Sequence, residues 1–171
     1  MKSKKIIAVI AIATVAIASF AGWSILSQKP AAPDVTVATL DGKPLSLSQL
    51  RGKVVLVNFW ATTCTTCVSE MPDMVNTYKT YAPRGYEMVA IAMDYDRPDW
   101  VLSFAQKHAL PFTVALDLEG KAAAAFGGVR LTPMSFLIDK NGRIVQQYLG
   151  VPDFARLNTL VDGLLNEPAK T

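Results

Sequence analysis

The chain has 171 residues, room for one domain and a short appendage but not for two ordinary domains. It is 51% hydrophobic, enough for a sizeable core, and its formal net charge is +3. Lys2, Lys4, Lys5 and Lys29 hold four of the 17 basic residues and precede every acid, leaving 13 basic against 14 acidic residues in the body. The body is therefore nearly neutral, and no basic stripe of the kind nucleic-acid binding needs is present.

Ile6 to Leu26 contains no charged side chain. About 20 apolar residues span a bilayer as a helix, so this run is just long enough. The lysines before it place that end in the cytoplasm, and Trp23 falls where an aromatic favours the membrane–water interface. A single-pass anchor, with the rest of the chain outside the cytoplasm, is the expectation. A cleaved signal peptide is the rival, because Ser19-Phe20-Ala21 offers small residues at the spacing a signal peptidase reads. Both readings export the domain. The expected organisation is an anchor or signal segment over 1–27, a proline-bearing linker over 28–34 and one domain over 35–171.

Val35 to Leu40 alternates weakly and meets Asp41-Gly42, a hairpin signal. Leu45 to Leu50 reads as a short helix, broken by Arg51-Gly52-Lys53. Val54 to Phe59 is continuous and β-branched, as in a strand buried on both faces. Trp60 to Thr63 reads as the loop leaving it. Cys64 to Tyr81 reads as a helix with Val68, Met71, Val75 and Tyr78 on one face, kinked by Pro72. Tyr86 to Met93 is a second buried strand, and Asp99 to His108 a helix presenting Trp100, Val101 and Phe104. Phe112 to Leu116 is a third strand. Lys121 to Phe126 is a short helix stopped by Gly127-Gly128. Pro133 to Ile138 and Ile144 to Leu149 form a hairpin across Asp139-Lys140-Asn141-Gly142, and Phe154 to Leu165 is an amphipathic helix. The order implies an α/β fold, a mixed sheet with helices on both faces.

The chemistry sits in Cys64-Thr65-Thr66-Cys67, at the junction of a buried strand and a helix. A helix N-terminus stabilises an anion, so a thiolate there has a lowered pKa and attacks readily. Cys64, nearest the helix end, is expected to be the nucleophile. Cys67, about one turn further in, is expected to resolve the mixed disulfide. A structural staple would close only a tiny loop and gain little. A zinc site lacks a second ligand pair, since the only other soft ligand is His108. A copper site using both thiolates with His108 or a methionine stays open, and with it a copper-metallochaperone alternative. Glu70, one turn after Cys67, either handles the proton released on disulfide formation or simply favours the helix dipole. Asn58, polar inside a buried strand, reads as a hydrogen-bonded structural amide. Thr132-Pro133 opens a strand with a bond that can be cis. His108 reads as an exposed helix end.

Val57-Asn58-Phe59-Trp60-Ala61-Thr62-Thr63-Cys64-Thr65-Thr66-Cys67 resembles the thioredoxin signature. The following Val68-Ser69-Glu70-Met71-Pro72 resembles the membrane-anchored TlpA and ResA branch. Leu131-Thr132-Pro133-Met134-Ser135-Phe136-Leu137-Ile138-Asp139, with Gly142-Arg143-Ile144, resembles the same family's cis-proline strand and hairpin. The resemblance runs from about Asp34 to the C-terminus. It implies a thioredoxin-like fold with an N-terminal hairpin and a strand–helix insertion over Asp94 to Leu116. It implies catalysis by Cys64 and Cys67, with Glu70 tied to thiol acidity. It implies a docking surface at Thr132, Pro133, Thr63 and Trp60. No bound cofactor or metal is expected, and the location the resemblance implies is a bacterial inner membrane with the domain facing the periplasm. Family members reduce exported protein disulfides, with apocytochrome c and copper-site assembly proteins among their clients, and take electrons from a membrane thiol carrier. A monomer is expected. Two departures stand out: Thr63 replaces a second tryptophan, and Asn58 replaces a buried aspartate. A peroxidase reading ranks last, for want of the proline- and threonine-bearing loop before the cysteine.

Overall fold

The structure, a computed structural model, describes residues 29–169. The anchor or signal segment lies outside the described residues. Among the described residues, no helix is long and apolar enough to cross a membrane. The chain divides into two units, residues 1–30 and 31–171, and the second carries the fold.

Its elements are β1 (Thr36–Thr39), β2 (Pro44–Ser46), a 3-10 turn (Leu47–Leu50), β3 (Val54–Trp60) and α1 (Thr65–Tyr81). After a second 3-10 turn (Ala82–Arg84) come β4 (Tyr86–Ala92), α2 (Pro98–Lys107), β5 (Thr113–Leu116) and α3 (Lys121–Ala125). The chain ends with β6 (Met134–Ile138), β7 (Ile144–Leu149) and α4 (Phe154–Asn166).

The strands form one mixed sheet in the order β2-β1-β5-β4-β3-β6-β7. β3 pairs with β4 in parallel and with β6 antiparallel, which sets Asn58 opposite Ala90 on one side and Ser135 on the other. All seven β3 residues are buried, as an uninterrupted apolar run at the centre of a sheet requires. Its side chains alternate between two cores. Val54, Leu56 and Trp60 join Met71 and Met74 of α1, Val101 of α2 and Leu157 and Val161 of α4. Val55, Val57 and Phe59 join Ala122 and Ala123 beside Phe126 and, from the N-terminal 3-10 turn, Leu47 and Leu50. Helices thus cover both faces, and the α2–β5 segment lies within the stretch expected to be an insertion.

Local signals explain the joints. Asp139 Oδ1 accepts from the N–H groups of Asn141 and Arg143, both at 2.9 Å. Gly142 turns the corner at φ +72°, a conformation glycine adopts without strain. The Asp117 carboxylate accepts from Ala122 N–H at 2.9 Å and Ala123 N–H at 2.8 Å, capping the start of α3.

The structure departs from the sequence reading in four places. Leu45 and Ser46 are extended, because Leu45 pairs with Val37 across the hairpin and Ser46 caps the 3-10 turn. β3 continues through Trp60, which pairs with Ala92. Trp60 is fully buried with its ring 5.2 Å from Phe104, so it offers no surface to a docking chain and is a core residue. Trp100 is 48% exposed, leaving Val101 as the buried anchor of α2, and the Arg97 guanidinium lies over the Trp100 ring.

Candidate active site

Cys64 and Cys67 are joined as a disulfide at the end of β3 where α1 begins. Cys64 is the N-cap residue of α1 in extended conformation, and its Sγ accepts the Cys67 N–H at 3.2 Å. That bond uses one of the orphan donors of the first helical turn. Cys67 is fully buried, whereas Cys64 is half-exposed. The two sulfurs therefore differ in access. An incoming reagent meets Cys64 first, at the end of the helix that favours negative charge.

The buried face of α1 carries Cys67, Glu70, Met71, Met74 and Thr77. Glu70 is 1% exposed, one turn beyond Cys67. Its Oε1 accepts from Asn58 Nδ2 at 3.1 Å, and the same amide donates to Ser135 Oγ at 2.9 Å. Glu70 Oε2 and Asn58 Oδ1 have no protein partner. Burial pushes the Glu70 carboxyl up to about 7, against the opposing pull of the Asn58 hydrogen bond. An acid held near neutrality can both give and take a proton at physiological pH.

The Thr132–Pro133 bond is cis. Pro133 is buried, Thr132 half-buried and Leu131 64% exposed. Thr63 is exposed beside Cys64. The Tyr95 hydroxyl lies 3.4 Å from the Thr132 hydroxyl. His108 is exposed and stacks on Phe104. Among the described residues no group of three or more His, Cys, Asp or Glu side chains is placed to hold a metal ion.

Sequence reasoning missed two residues at this site. Ser135 shares the central sheet with Asn58, and a polar residue in each of two otherwise apolar strands was the available signal. Asp96 was overlooked altogether. It lies in the β4–α2 loop and takes hydrogen bonds from Thr62, 34 positions away in the chain, a proximity that only the tertiary fold creates.

A sheet-to-helix junction presenting one accessible and one buried cysteine, beside a cis-proline loop, defines a thioredoxin-like thiol–disulfide oxidoreductase. The sequence profile named Redoxin matches residues 27–161. The thiol-disulfide oxidoreductase ResA of Bacillus thuringiensis (strain Al Hakam) is 42% identical over 120 residues, covering 70% of this chain and 68% of that protein. The ResA of Bacillus subtilis (strain 168) is 35% identical over 133 residues, covering 78% and 73%. Among solved structures, a putative thioredoxin from Neisseria meningitidis superposes with a TM-score of 0.75 at 36% identity, covering 84% of this chain and 95% of that one. A putative thiol:disulfide interchange protein DsbE from Chlorobium tepidum gives 0.75 at 30%, covering 82% and 99%. The chain belongs to the Redoxin family, among its ResA- and TlpA-like thiol–disulfide oxidoreductases.

Proposed function

We propose that this protein is an exported reductase of protein disulfides, in which Cys64 attacks and Cys67 resolves. The observation that carries the reading is the asymmetry of the pair: Cys64 is partly exposed and its Sγ caps the helix, while Cys67 is fully buried. In the reduced protein the Cys64 thiolate attacks one sulfur of a client disulfide, and the other client sulfur leaves as a thiolate. The Cys67 thiol then loses its proton and attacks Cys64 Sγ. The second client thiolate departs, so two electrons have passed to the client and the observed disulfide remains. Glu70, one turn from Cys67 on the same buried face, accepts the Cys67 proton. Thr132 and exposed Thr63 form the surface against which the client chain lies, with the cis bond at buried Pro133 setting the backbone beside it.

Apocytochrome c and copper-site assembly proteins are the proposed clients, and a membrane thiol carrier is the proposed source of electrons. The charge-free run Ile6 to Leu26 behind a lysine cluster supports a membrane-attached domain outside the cytoplasm. A monomer acting without a bound cofactor completes the reading.

The test is insulin reduction together with trapping. Cys64→Ser is expected to abolish reduction, and Cys67→Ser to accumulate mixed disulfides with a disulfide-bonded client, because the attacked sulfur then has no internal rescuer. Equal reduction by the parent and both variants would overturn the proposal. The reduction potential sets the direction: a value near about −270 mV marks a reductant, and one near about −120 mV an oxidant.

A further inference from the structure

The β4–α2 loop, residues 93–97, touches both the segment that precedes Cys64 and the cis-proline loop. Asp96 is 7% exposed. Its Oδ2 accepts the Thr62 N–H at 2.5 Å and its Oδ1 accepts the Thr62 hydroxyl at 2.6 Å. Oδ1 also accepts the Arg97 N–H at 3.0 Å. The Arg97 side chain is directed elsewhere, onto Asp99 at 2.7 and 3.0 Å. The Asp96 carboxylate is therefore held by hydrogen-bond donors rather than by an ion pair. Thr62 lies in the short segment between β3 and Cys64, where Cys64 N–H closes a turn onto Ala61 C=O at 3.2 Å. The backbone below is pinned too: Met93 N–H donates to Trp60 C=O and Asp96 N–H donates to Met93 C=O, each at 3.0 Å. From the neighbouring position, the Tyr95 hydroxyl meets that of Thr132, next to Pro133.

A buried carboxylate is costly to dehydrate, and this one recovers that cost by bonding a loop it shares no sequence neighbourhood with. The residue it grips is two positions before the attacking sulfur. Among the described residues, the Thr62–Asp96 bonds are what tie the 61–63 segment to the β4–α2 loop through a side chain. Without them, the position of Cys64 in the reduced protein would rest on the Ala61–Cys64 turn and on its own bonds to the first helical turn. Small displacements of a reacting atom lower rates steeply.

We propose that Asp96 is a positioning residue for disulfide exchange: through Thr62 it fixes the loop that presents Cys64 at the α1 N-terminus. The proposal rests on Cys64 being the attacking sulfur. It makes the inserted segment a working part of the site, with Asp96 bracing the cysteine loop while Tyr95 reaches the cis-proline loop.

The test uses the full chain with oxidised glutathione as a small disulfide and insulin as a large one. It also follows iodoacetamide alkylation of Cys64 against pH. Thr62→Val removes one of the two Thr62 bonds and keeps the Asp96 charge. It is expected to slow exchange with both disulfides about three- to tenfold, with the loss in kcat rather than KM for insulin. It is also expected to move the alkylation midpoint up, as the sulfur leaves its capping position. Thr62→Ser, which restores the hydroxyl, is expected to recover most of the lost rate. Asp96→Asn is nearly isosteric but turns an amide against one of three donors, and is expected to slow exchange more than Thr62→Val does. Lowered thermal stability with unchanged rates and an unchanged alkylation midpoint would overturn the proposal. A parent protein that fails to exchange disulfides would instead overturn the function on which it rests.

Discussion

Replacing Glu70 by glutamine should remove a pH dependence from the stability of the oxidised protein. Burial holds the Glu70 carboxyl at about 7, against an ordinary value of 4.5. The folded protein therefore binds this proton more tightly than the unfolded chain does. The stability so gained is fully present below about pH 4.5 and is lost as the pH rises through about 7. With 1.36 kcal/mol for each tenfold change in proton affinity, the loss across that window is about 3 kcal/mol. This is a sizeable share of the 5–15 kcal/mol that typically separates folded from unfolded chains. Glutamine keeps an acceptor for Asn58 Nδ2 and carries no charge, so its variant should show no such fall. Urea denaturation of the disulfide-intact parent and Glu70→Gln at pH 4, 6 and 8 measures this directly. The difference between the two proteins should swing by about 3 kcal/mol in favour of the variant from the lowest pH to the highest. Parallel stability–pH curves would show that Glu70 titrates as an ordinary carboxyl and would refute the burial argument.

Asn58→Asp should raise the Glu70 carboxyl further, because two carboxylates sharing one buried site resist ionising together. Titration of Glu70 by carbon-13 NMR should show a higher midpoint in the variant, and a lower one would contradict the donor role of the Asn58 amide. Asp117→Ala removes the acceptor for two N–H groups at the start of α3 and should cost about 1–2 kcal/mol. Chemical denaturation reads that cost, with disulfide exchange left intact because Asp117 serves only the helix start.

The central elements were legible because their signals are local. Val54 to Phe59 reads as a buried strand from its short, continuous, valine-rich run, and the Asp139–Gly142 joint from its turn chemistry. Other features are decided by partners far along the chain. Leu45 is β-strand only because Val37 lies opposite it. Trp60 looks like a loop residue, yet pairing with Ala92 carries β3 one residue further and packs its ring on Phe104. In the site, the cysteine pair was readable from its spacing, whereas spacing left Glu70 between a proton role and a helix-dipole role, and only the family resemblance tied it to thiol acidity. The Asn58 contacts to Glu70 and Ser135 were not readable, because the second depends on strand register across 77 positions.

The same register explains why the site has its present chemistry. Asn58 lies on the face of β3 that meets α1, two residues from Leu56 and two from Trp60 in that core. Strand alternation therefore fixes a polar side chain beneath the helix face that carries Cys67 and Glu70. Were β3 to slip by one residue, Val57 or Phe59 would take that place and Glu70 would lose its hydrogen bond. A carboxyl buried without any donor would shift higher still and remain protonated at neutral pH. The Asn58 amide, itself shared with Ser135, moderates the effect of burial and leaves Glu70 near neutrality, where a proton can move in either direction. The acid–base character of the site is thus set by sheet register as much as by the residues of the helix.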